Sequence, residues 1–194
     1  VDYVLLDDEG ELLGQPVAYR DARTQGVMEQ VFQQIPKETI YKKTGIQFLN
    51  FNTLYQLFVE DDNLLDKTDK ILMIPDYIAY KLTGKMTGEV TNWSTTQFLH
   101  LESRTYDKDL LEVLDIDTSK FPDLIEAGEI IGALKVTGYD VPEAQVIAVG
   151  THDTASAVVG VPATSKNWAY ISSGTWSLIG LESQEPIANQ DSFR

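Results

Sequence analysis

The stretch at residues 146–160 constrains the fold of this chain more than any other. It reads VIAVGTHDTASAVVG, in which an apolar run of four residues leads into Gly150, polar residues follow, and a run of small residues ends the stretch. The pattern is typical of a strand that passes through a polar turn into a helix. Ligands of open α/β sheets collect beyond the carboxyl ends of strands, where helix N-termini also point. The sequence therefore predicts that Asp153 lies at such an edge, at or near the start of a helix.

Two interpretations of Asp153 remain open from its spacing alone. Thr and Asp are favoured N-cap residues, so Thr151 or Asp153 could simply cap the helix, or Asp153 could be a catalytic carboxylate. A metal-binding His–Asp pair would need more histidines than His152 and His100, which are the two in the chain. A Ser–His–Asp triad would need a Gly-x-Ser-x-Gly elbow, and the sequence has none.

A second polar turn lies at residues 172–175, which read SSGT between two strand-like runs. A hairpin turn of this composition presents backbone N–H groups and hydroxyls to one point, which suits phosphate oxygens. Gly174 would allow close approach of the backbone to a ligand. Such a turn is also common without any ligand. Neither a Walker motif nor Gly-x-Gly-x-x-Gly occurs in the chain, so a P-loop or dinucleotide site is not indicated.

The rest of the chain alternates helix-like and strand-like segments. Pro and Gly mark most of the predicted ends, and Asn52 is expected to cap one helix. The predicted segments are a hairpin at 2–19, helices at 27–35, 37–44 and after Asn52, a strand and helix at 71–84, a loop with a short strand and helix start at 85–101, a helix at 107–115, an extended segment at 121–132, a turn at 138–142 and a hairpin at 168–181. This order predicts a mixed α and β fold.

Composition excludes several classes of protein. The 194 residues include 30 acidic and 15 basic side chains, which gives a net charge of −15 and argues against nucleic acid or an anionic membrane surface as partner. The absence of cysteine excludes a disulfide scaffold and a cysteine nucleophile. No apolar run is long enough to span a bilayer, and the start lacks the features of a signal peptide. We expect a cytoplasmic protein, and because the chain starts without Met we expect a piece of a longer one.

Taken together, these motifs resemble the FGGY family of carbohydrate kinases, and within it most closely the rhamnulokinases. The resemblance spans essentially the whole chain, which would be the middle of a family member, roughly two-fifths of its length. The segments that carry it are GTHDTASAV at 150–158, YISSGTWSL at 170–178, IPDYIAYKLTG at 74–84, TNWSTTQ at 91–97 and the opening VDYVLLD.

The resemblance implies an α/β fold of the actin-like ATPase, ribonuclease-H-like type, with two domains and a cleft between them. Residues 1–162 would be the later part of the first, sugar-binding domain. Residues 163–194 would be the opening hairpin of the second, nucleotide-binding domain, with the boundary near Val161 and Pro162.

The activity that the resemblance implies is transfer of the γ-phosphoryl group of ATP, with Mg²⁺, to a sugar hydroxyl. In rhamnulokinases the acceptor is the 1-hydroxyl of L-rhamnulose, in rhamnose breakdown. Asp153 would be the proton acceptor, and no residue carries over as a metal ligand. Carried over by position, the substrate contacts would be His152, Asp153 and Thr154 for the sugar, and Ser173, Gly174 and Thr175 for ATP phosphates.

Several parts of the family pattern are absent from the chain. These are the amino-terminal Asp-Gly phosphate hairpin, a sugar-binding Gly expected just before Val1, a later sugar contact and the adenosine loops. We therefore expect the 194 residues not to turn over alone. Two alternatives stay open: another kinase of the family, acting on L-fuculose or D-xylulose, or an actin-like sensor that binds nucleotide or sugar without catalysis. The oligomeric state is left open.

Overall fold

A computed structural model describes residues 1–135, 143–174 and 176–193 of the chain. The turn predicted at 138–142 lies outside these residues. Eight helices of four to ten residues occur in the described part. They are α1 Val27–Gln34, α2 Lys37–Thr44, α3 Thr53–Phe58, α4 Asp62–Lys67, α5 Ile74–Thr83, α6 Val90–Trp93, α7 Lys108–Glu112 and α8 Asp153–Val159.

Eight short strands form four pairs in the described residues. They are β1 Tyr3–Leu6, β2 Lys70–Met73, β3 Thr87–Glu89, β4 Asp123–Ile125, β5 Ile130–Ala133, β6 Gln145–Ile147, β7 Ala169–Ser173 and β8 Ser177–Leu181. The pair β3–β4 is parallel, and the pairs β1–β2, β5–β6 and β7–β8 are antiparallel. The predicted mixture of helices and strands is confirmed, and no helix in the described ranges has the length and apolarity to cross a membrane.

The predicted opening hairpin is only half formed. Asp7 Oδ1 accepts hydrogen bonds from the amides of Glu9 and Glu11, which closes the turn, and a single bridge joins Leu6 to Leu12. The chain from residue 13 to residue 19 then runs without strand structure. The regular partner of β1 is β2 instead, because the apolar run of β2 is buried together with β1, whereas Leu12 is 37% exposed.

Most of the predicted helix ends are confirmed. The helix α1 ends before Pro36, and α2 and α5 end at Gly45 and Gly84, whose φ angles of 67° and 75° are in the left-handed region that glycine adopts without strain. Asn52 is the N-cap residue of α3, as predicted, but its side chain makes no capping hydrogen bond to the helix. Its Oδ1 accepts from the amide of Leu49, because the side chain joins two loops instead of binding α3.

The segment predicted as extended at 121–132 is divided into β4 and β5. A turn at Gly128, with φ of 99°, separates the two strands. They then belong to different pairs, because β4 lies beside β3 and β5 lies beside β6.

The core lies on both faces of the β1–β2 pair. On one face a small cluster of Val4, Leu6 and Leu72 packs against tyrosines of α5. The other face joins the main cluster, whose fully buried members include Trp93 and Phe98. A strand pair buried on both faces explains why residues 3–6 of β1 and 71–73 of β2 are continuously apolar instead of alternating.

The indole of Trp93 joins this core to a buried carboxylate. Its Nε1–H donates to Asp76 Oδ2 at 2.7 Å, and the amide of Glu89 donates to Asp76 Oδ1 at 3.1 Å. Asp76 is 4% exposed, and burial raises its pKa to about 7. Three elements, α5, β3 and α6, therefore meet at one side chain.

The tight packing at Trp93 predicts the effect of a single methyl group. A Cβ at Gly88 would overlap Trp93 Nε1 and lie 3.0 Å from Pro122 Cγ. We expect Gly88→Ala to lower the free energy of unfolding by about 1–3 kcal/mol in urea titrations, because the indole has to move away from Asp76. The matched control is Gly14→Ala, where no atom lies within 4 Å, and its effect should stay within about 1 kcal/mol. Equal effects of the two changes would contradict this packing.

The raised pKa of Asp76 predicts a pH dependence of stability. Between its ordinary value of 3.8 and about 7, the folded state keeps a proton that the unfolded state has lost. The free energy of unfolding should then fall as the pH rises through this window, by at most about 1.4 kcal/mol per pH unit. In Asp76→Asn this contribution is absent. The stability difference between wild type and variant should therefore be larger at pH 5 than at pH 8 in urea titrations, and a constant difference would refute the assignment.

Candidate active site

Asp153 lies at the predicted place, where the chain passes from β6 into a helix. It is the first residue of α8, and its side chain is exposed. Its Oδ1 accepts from the amide of Thr154 at 2.6 Å and lies 3.3 Å from Thr154 Oγ1. A carboxylate in the first turn of a helix is favoured by the helix dipole.

The cap of α8 is His152, so the expectation that Thr151 or Asp153 would be the cap is wrong. His152 has an extended backbone, and its Nδ1 accepts from the amide of Ala155 at 3.3 Å. Thr151 lies one residue before the cap, and its hydroxyl donates to Glu89. Asp153 is therefore not the N-cap of α8, although its carboxylate accepts from the first-turn amide of Thr154.

The loop before α8 is held by Glu89, the last residue of β3. Glu89 Oε2 accepts from the amide of Thr151 at 2.9 Å, from Thr151 Oγ1 at 3.0 Å and from the hydroxyl of Thr91. Its Oε1 accepts from the amide of Thr91 at 2.9 Å. Burial alone would raise the pKa of Glu89, which is 2% exposed, but these hydrogen bonds lower the pKa below its ordinary value. Glu89 is therefore a buried ionised carboxylate with four hydrogen bonds.

Two further contacts fix the backbone on either side of Thr151. The amide of His152 donates to Thr91 Oγ1 at 3.4 Å, and the hydroxyl of Ser156 donates to the carbonyl of Gly150. Burial lowers the pKa of His152, so its imidazole is neutral at pH 7. Because Nδ1 accepts a hydrogen bond, the proton of the neutral ring is on Nε2.

Sequence reasoning missed Glu89 and Thr91 as parts of this region. Both lie in the polar stretch at 85–101, but 62 residues separate Glu89 from Thr151. No rule of spacing joins positions so far apart. The one signal available was that Glu89 is the single acidic residue in the polar stretch at 85–101.

The second polar turn is a hairpin, as predicted. Ser173 pairs with Ser177 at the end of β7–β8, and the amide of Gly174 donates to the carbonyl of Trp176 at 2.8 Å. Both Ser173 and Gly174 are exposed, and a Cβ at Gly174 would meet no atom within 4 Å. Thr175 lies outside the described residues.

The hairpin is connected to the rest of the chain at two places. The strand β7 contacts α8, the helix that Asp153 begins. On the other side the indole of Trp176 lies 6.0 Å from the ring of Phe51, which in turn lies 5.0 Å from Tyr19. The two polar turns therefore belong to neighbouring elements.

The backbone just before β1 is held by α3. The carbonyl of Val1 accepts from Thr53 Oγ1 at 3.0 Å and from Gln56 Nε2 at 3.1 Å.

Two other features of the described residues bear on where a ligand could bind. Across these ranges no group of three or more His, Asp or Glu side chains is placed to hold a metal ion. A groove of about 250 Å³ between α5 and the β5–β6 pair is lined mainly by apolar side chains. Its lining includes Glu89 and Thr151 but not Asp153, so the candidate site is the exposed surface at the start of α8.

Several curated proteins similar to this chain are rhamnulokinases. The chain is 54% identical over 189 residues to a rhamnulokinase of Ligilactobacillus salivarius and 52% identical over 196 residues to a rhamnulokinase of Lactiplantibacillus plantarum. These matches cover 96% and 100% of this chain but 39% and 40% of the relatives, so the chain spans about two-fifths of their length.

The fold is that of a solved sugar kinase. The structure matches ligand-bound xylulose kinase from Lactobacillus acidophilus with a TM-score of 0.84 and 22% identity, over 98% of this chain and 40% of that one. The actin-like α/β fold expected from the sequence is confirmed. The family model described as the N-terminal domain of the FGGY family of carbohydrate kinases matches residues 1–160. This chain therefore belongs to the FGGY family of carbohydrate kinases.

Proposed function

We propose that the full-length protein is an ATP-dependent sugar kinase that phosphorylates the 1-hydroxyl of L-rhamnulose, with Asp153 as the proton acceptor. The observation that carries the proposal is the position and exposure of the Asp153 carboxylate. This carboxylate is exposed at the start of α8, His152 and not Asp153 is the N-cap, and the backbone before it is hydrogen-bonded to the buried carboxylate of Glu89. The rhamnulokinase relatives support the sugar, and membership of the family supports the reaction.

An exposed carboxylate at this position suits phosphoryl transfer to an alcohol. The attacking hydroxyl needs orientation and, late in the reaction, a base that takes its proton. In the proposed reaction Asp153 accepts that proton while the hydroxyl oxygen bonds to the γ-phosphorus and the bond to the β–γ bridging oxygen breaks. The products are the sugar 1-phosphate and ADP.

His152 and Thr154 would contact the sugar on either side of Asp153. Because Nδ1 of His152 accepts from Ala155, the Nε2–H is the donor that the neutral ring can offer to a sugar hydroxyl. The hydroxyl of Thr154 lies near Asp153 Oδ1 and can donate to that carboxylate or to the sugar.

The hairpin turn would bind ATP. The exposed Ser173 and Gly174, together with Thr175, would offer hydroxyls and backbone N–H groups to phosphate oxygens, and fixed donors of this kind stabilise the charge of the transferred group. Mg²⁺ would neutralise phosphate charge in the complex with ATP.

The division of the chain into two domains remains a proposal. We place residues 1–162 in the first domain and 163–194 in the second, with the boundary near Val161 and Pro162. This boundary falls between the end of α8 and the start of β7. Closure at this junction would bring the sugar and ATP together and exclude water. A cytoplasmic location is likewise a prediction.

The proposal predicts which sugar is turned over. We expect the full-length protein to release ADP fastest with L-rhamnulose when L-rhamnulose, L-fuculose, D-xylulose and glycerol are supplied separately with MgATP in a coupled assay. If turnover were fastest with another of these compounds, the proposed kinase activity would stand, but the proposed substrate would be wrong. No turnover by a folded protein that binds ATP would overturn the kinase and favour a non-catalytic sensor.

Replacing the side-chain carboxylate of Asp153 with the amide of Asn tests its role as the base. Asp153→Asn should reduce kcat by about 10²–10⁴-fold, because the amide keeps the shape but accepts no proton. The matched control is Asp66→Asn, an exposed carboxylate on α4, which should leave kcat unchanged. A kcat for Asp153→Asn within threefold of wild type would exclude Asp153 as the base.

Two substitutions at His152 separate its cap from its proposed sugar contact. His152→Asn keeps a good N-cap but loses the Nε2–H, so we expect unchanged stability and a KM for the sugar raised by about tenfold, the effect of one lost hydrogen bond. His152→Ala should in addition lower the free energy of unfolding by about 1 kcal/mol. Steady-state kinetics and urea titrations measure the two effects. An unchanged KM in His152→Asn would show that the imidazole acts only as a cap.

A further inference from the structure

We propose that Glu89 is a positioning residue for the Asp153 carboxylate and acts through Thr151 and the loop before α8. The inference rests on the proposed function, because it concerns the same base. It assigns a role to a residue that neither the motifs nor the resemblance identified.

Glu89 is itself held rigidly. It ends β3, which is paired with β4, and its amide donates to the buried Asp76 at 3.1 Å. Through Asp76 it is connected to Trp93, which is fully buried in the main core cluster. The carboxylate of Glu89 therefore has a fixed position beside the loop that connects β6 to α8.

The loop is attached to this fixed point by donors that only a carboxylate can satisfy together. Oε2 accepts three hydrogen bonds and Oε1 accepts one, and all four donors come from Thr91 and Thr151. Gln at this position would place an NH₂ group against at least one of the two backbone N–H donors. Hydrogen bonds to an ionised acceptor are also stronger than those to a neutral one.

The attachment is close enough to Asp153 to control its orientation. Thr151 precedes Asp153 by two residues, and the intervening amide of His152 donates to Thr91, which Glu89 also binds. The backbone leading into the first residue of α8 is thus anchored at two consecutive amides. A displacement of a catalytic group by about 1 Å can cost about 10²-fold in rate.

A purely structural role for Glu89 predicts different behaviour from a positioning role. A structural role would lower stability and affect all kinetic constants through the amount of folded protein. A positioning role lowers kcat in the folded protein, leaves the KM for ATP unchanged, and depends on Thr151.

The test uses the full-length protein with Glu89→Gln, Thr151→Val and the double variant. We expect Glu89→Gln to reduce kcat by about 10–100-fold with an unchanged KM for ATP. The double variant should be no slower than Glu89→Gln alone, since residues that act through one another are not additive. Multiplied effects in the double variant, or a kcat for Glu89→Gln within threefold of wild type, would overturn the proposal.

The control for stability is Ile40→Val, at a fully buried residue of α2 that belongs to the main core cluster but not to the hydrogen-bonded network of Asp76, Glu89 and Thr151. We expect a lower free energy of unfolding, by about 0.5–1.5 kcal/mol, with kcat within a few-fold of wild type under conditions where the variant is folded. A loss of kcat equal to that of Glu89→Gln would show that a general loss of stability explains both.

Hydrogen exchange provides a readout that does not need turnover. In Glu89→Gln the amides of Thr151 and His152 should exchange at least about tenfold faster, while amides of α5 keep their rates. Unchanged exchange at Thr151 would overturn the positioning role even if the variant were slow. If the wild type turned over no sugar, the proposed kinase would fail, and the exchange rates would still decide whether Glu89 holds the loop.

Discussion

Two buried carboxylates, Asp76 and Glu89, connect the core of this protein to its candidate site. Asp76 accepts from the Trp93 indole and from the backbone of Glu89, and the side chain of Glu89 accepts from the loop before α8. Burying a carboxylate costs free energy unless donors surround it. The donors at Glu89 offset this cost and lower its pKa, whereas at Asp76 the effect of burial is larger and the pKa is raised. Through these hydrogen bonds the packed aromatic core fixes the position of the loop between β6 and α8.

At the start of α8, capping of the helix and the proposed role of catalytic base belong to two different residues. His152 caps the helix, so the neighbouring Asp153 keeps an exposed carboxylate. In the proposed kinase this carboxylate meets the sugar, and the hairpin after β7 meets the phosphates of ATP. Because α8 contacts β7, the proposed base and the proposed phosphate turn are on adjoining elements.

Local sequence patterns predicted those parts of the fold in which neighbouring residues decide the conformation. Pro36, Gly45 and Gly84 end helices because proline lacks an N–H and glycine adopts positive φ without strain. The prediction that residues after Leu12 form the second strand of the opening hairpin was wrong, because here residues distant in the chain decide the pairing. The sequence of these residues is compatible with a strand, but β1 pairs with β2, a segment more than sixty residues away that buries more apolar surface.

The sequence by itself determined most of the helix and strand segments, the position of Asp153 at a helix start and, through its motifs, the family. Each of these depends on residues that are close together in the chain. Only the tertiary structure decided that His152 is the cap and that Glu89 holds Thr151, because both depend on which donors and acceptors meet in space. Hydrogen bonds between groups 62 residues apart leave no periodicity in a sequence, since the partners come together only when the core has packed.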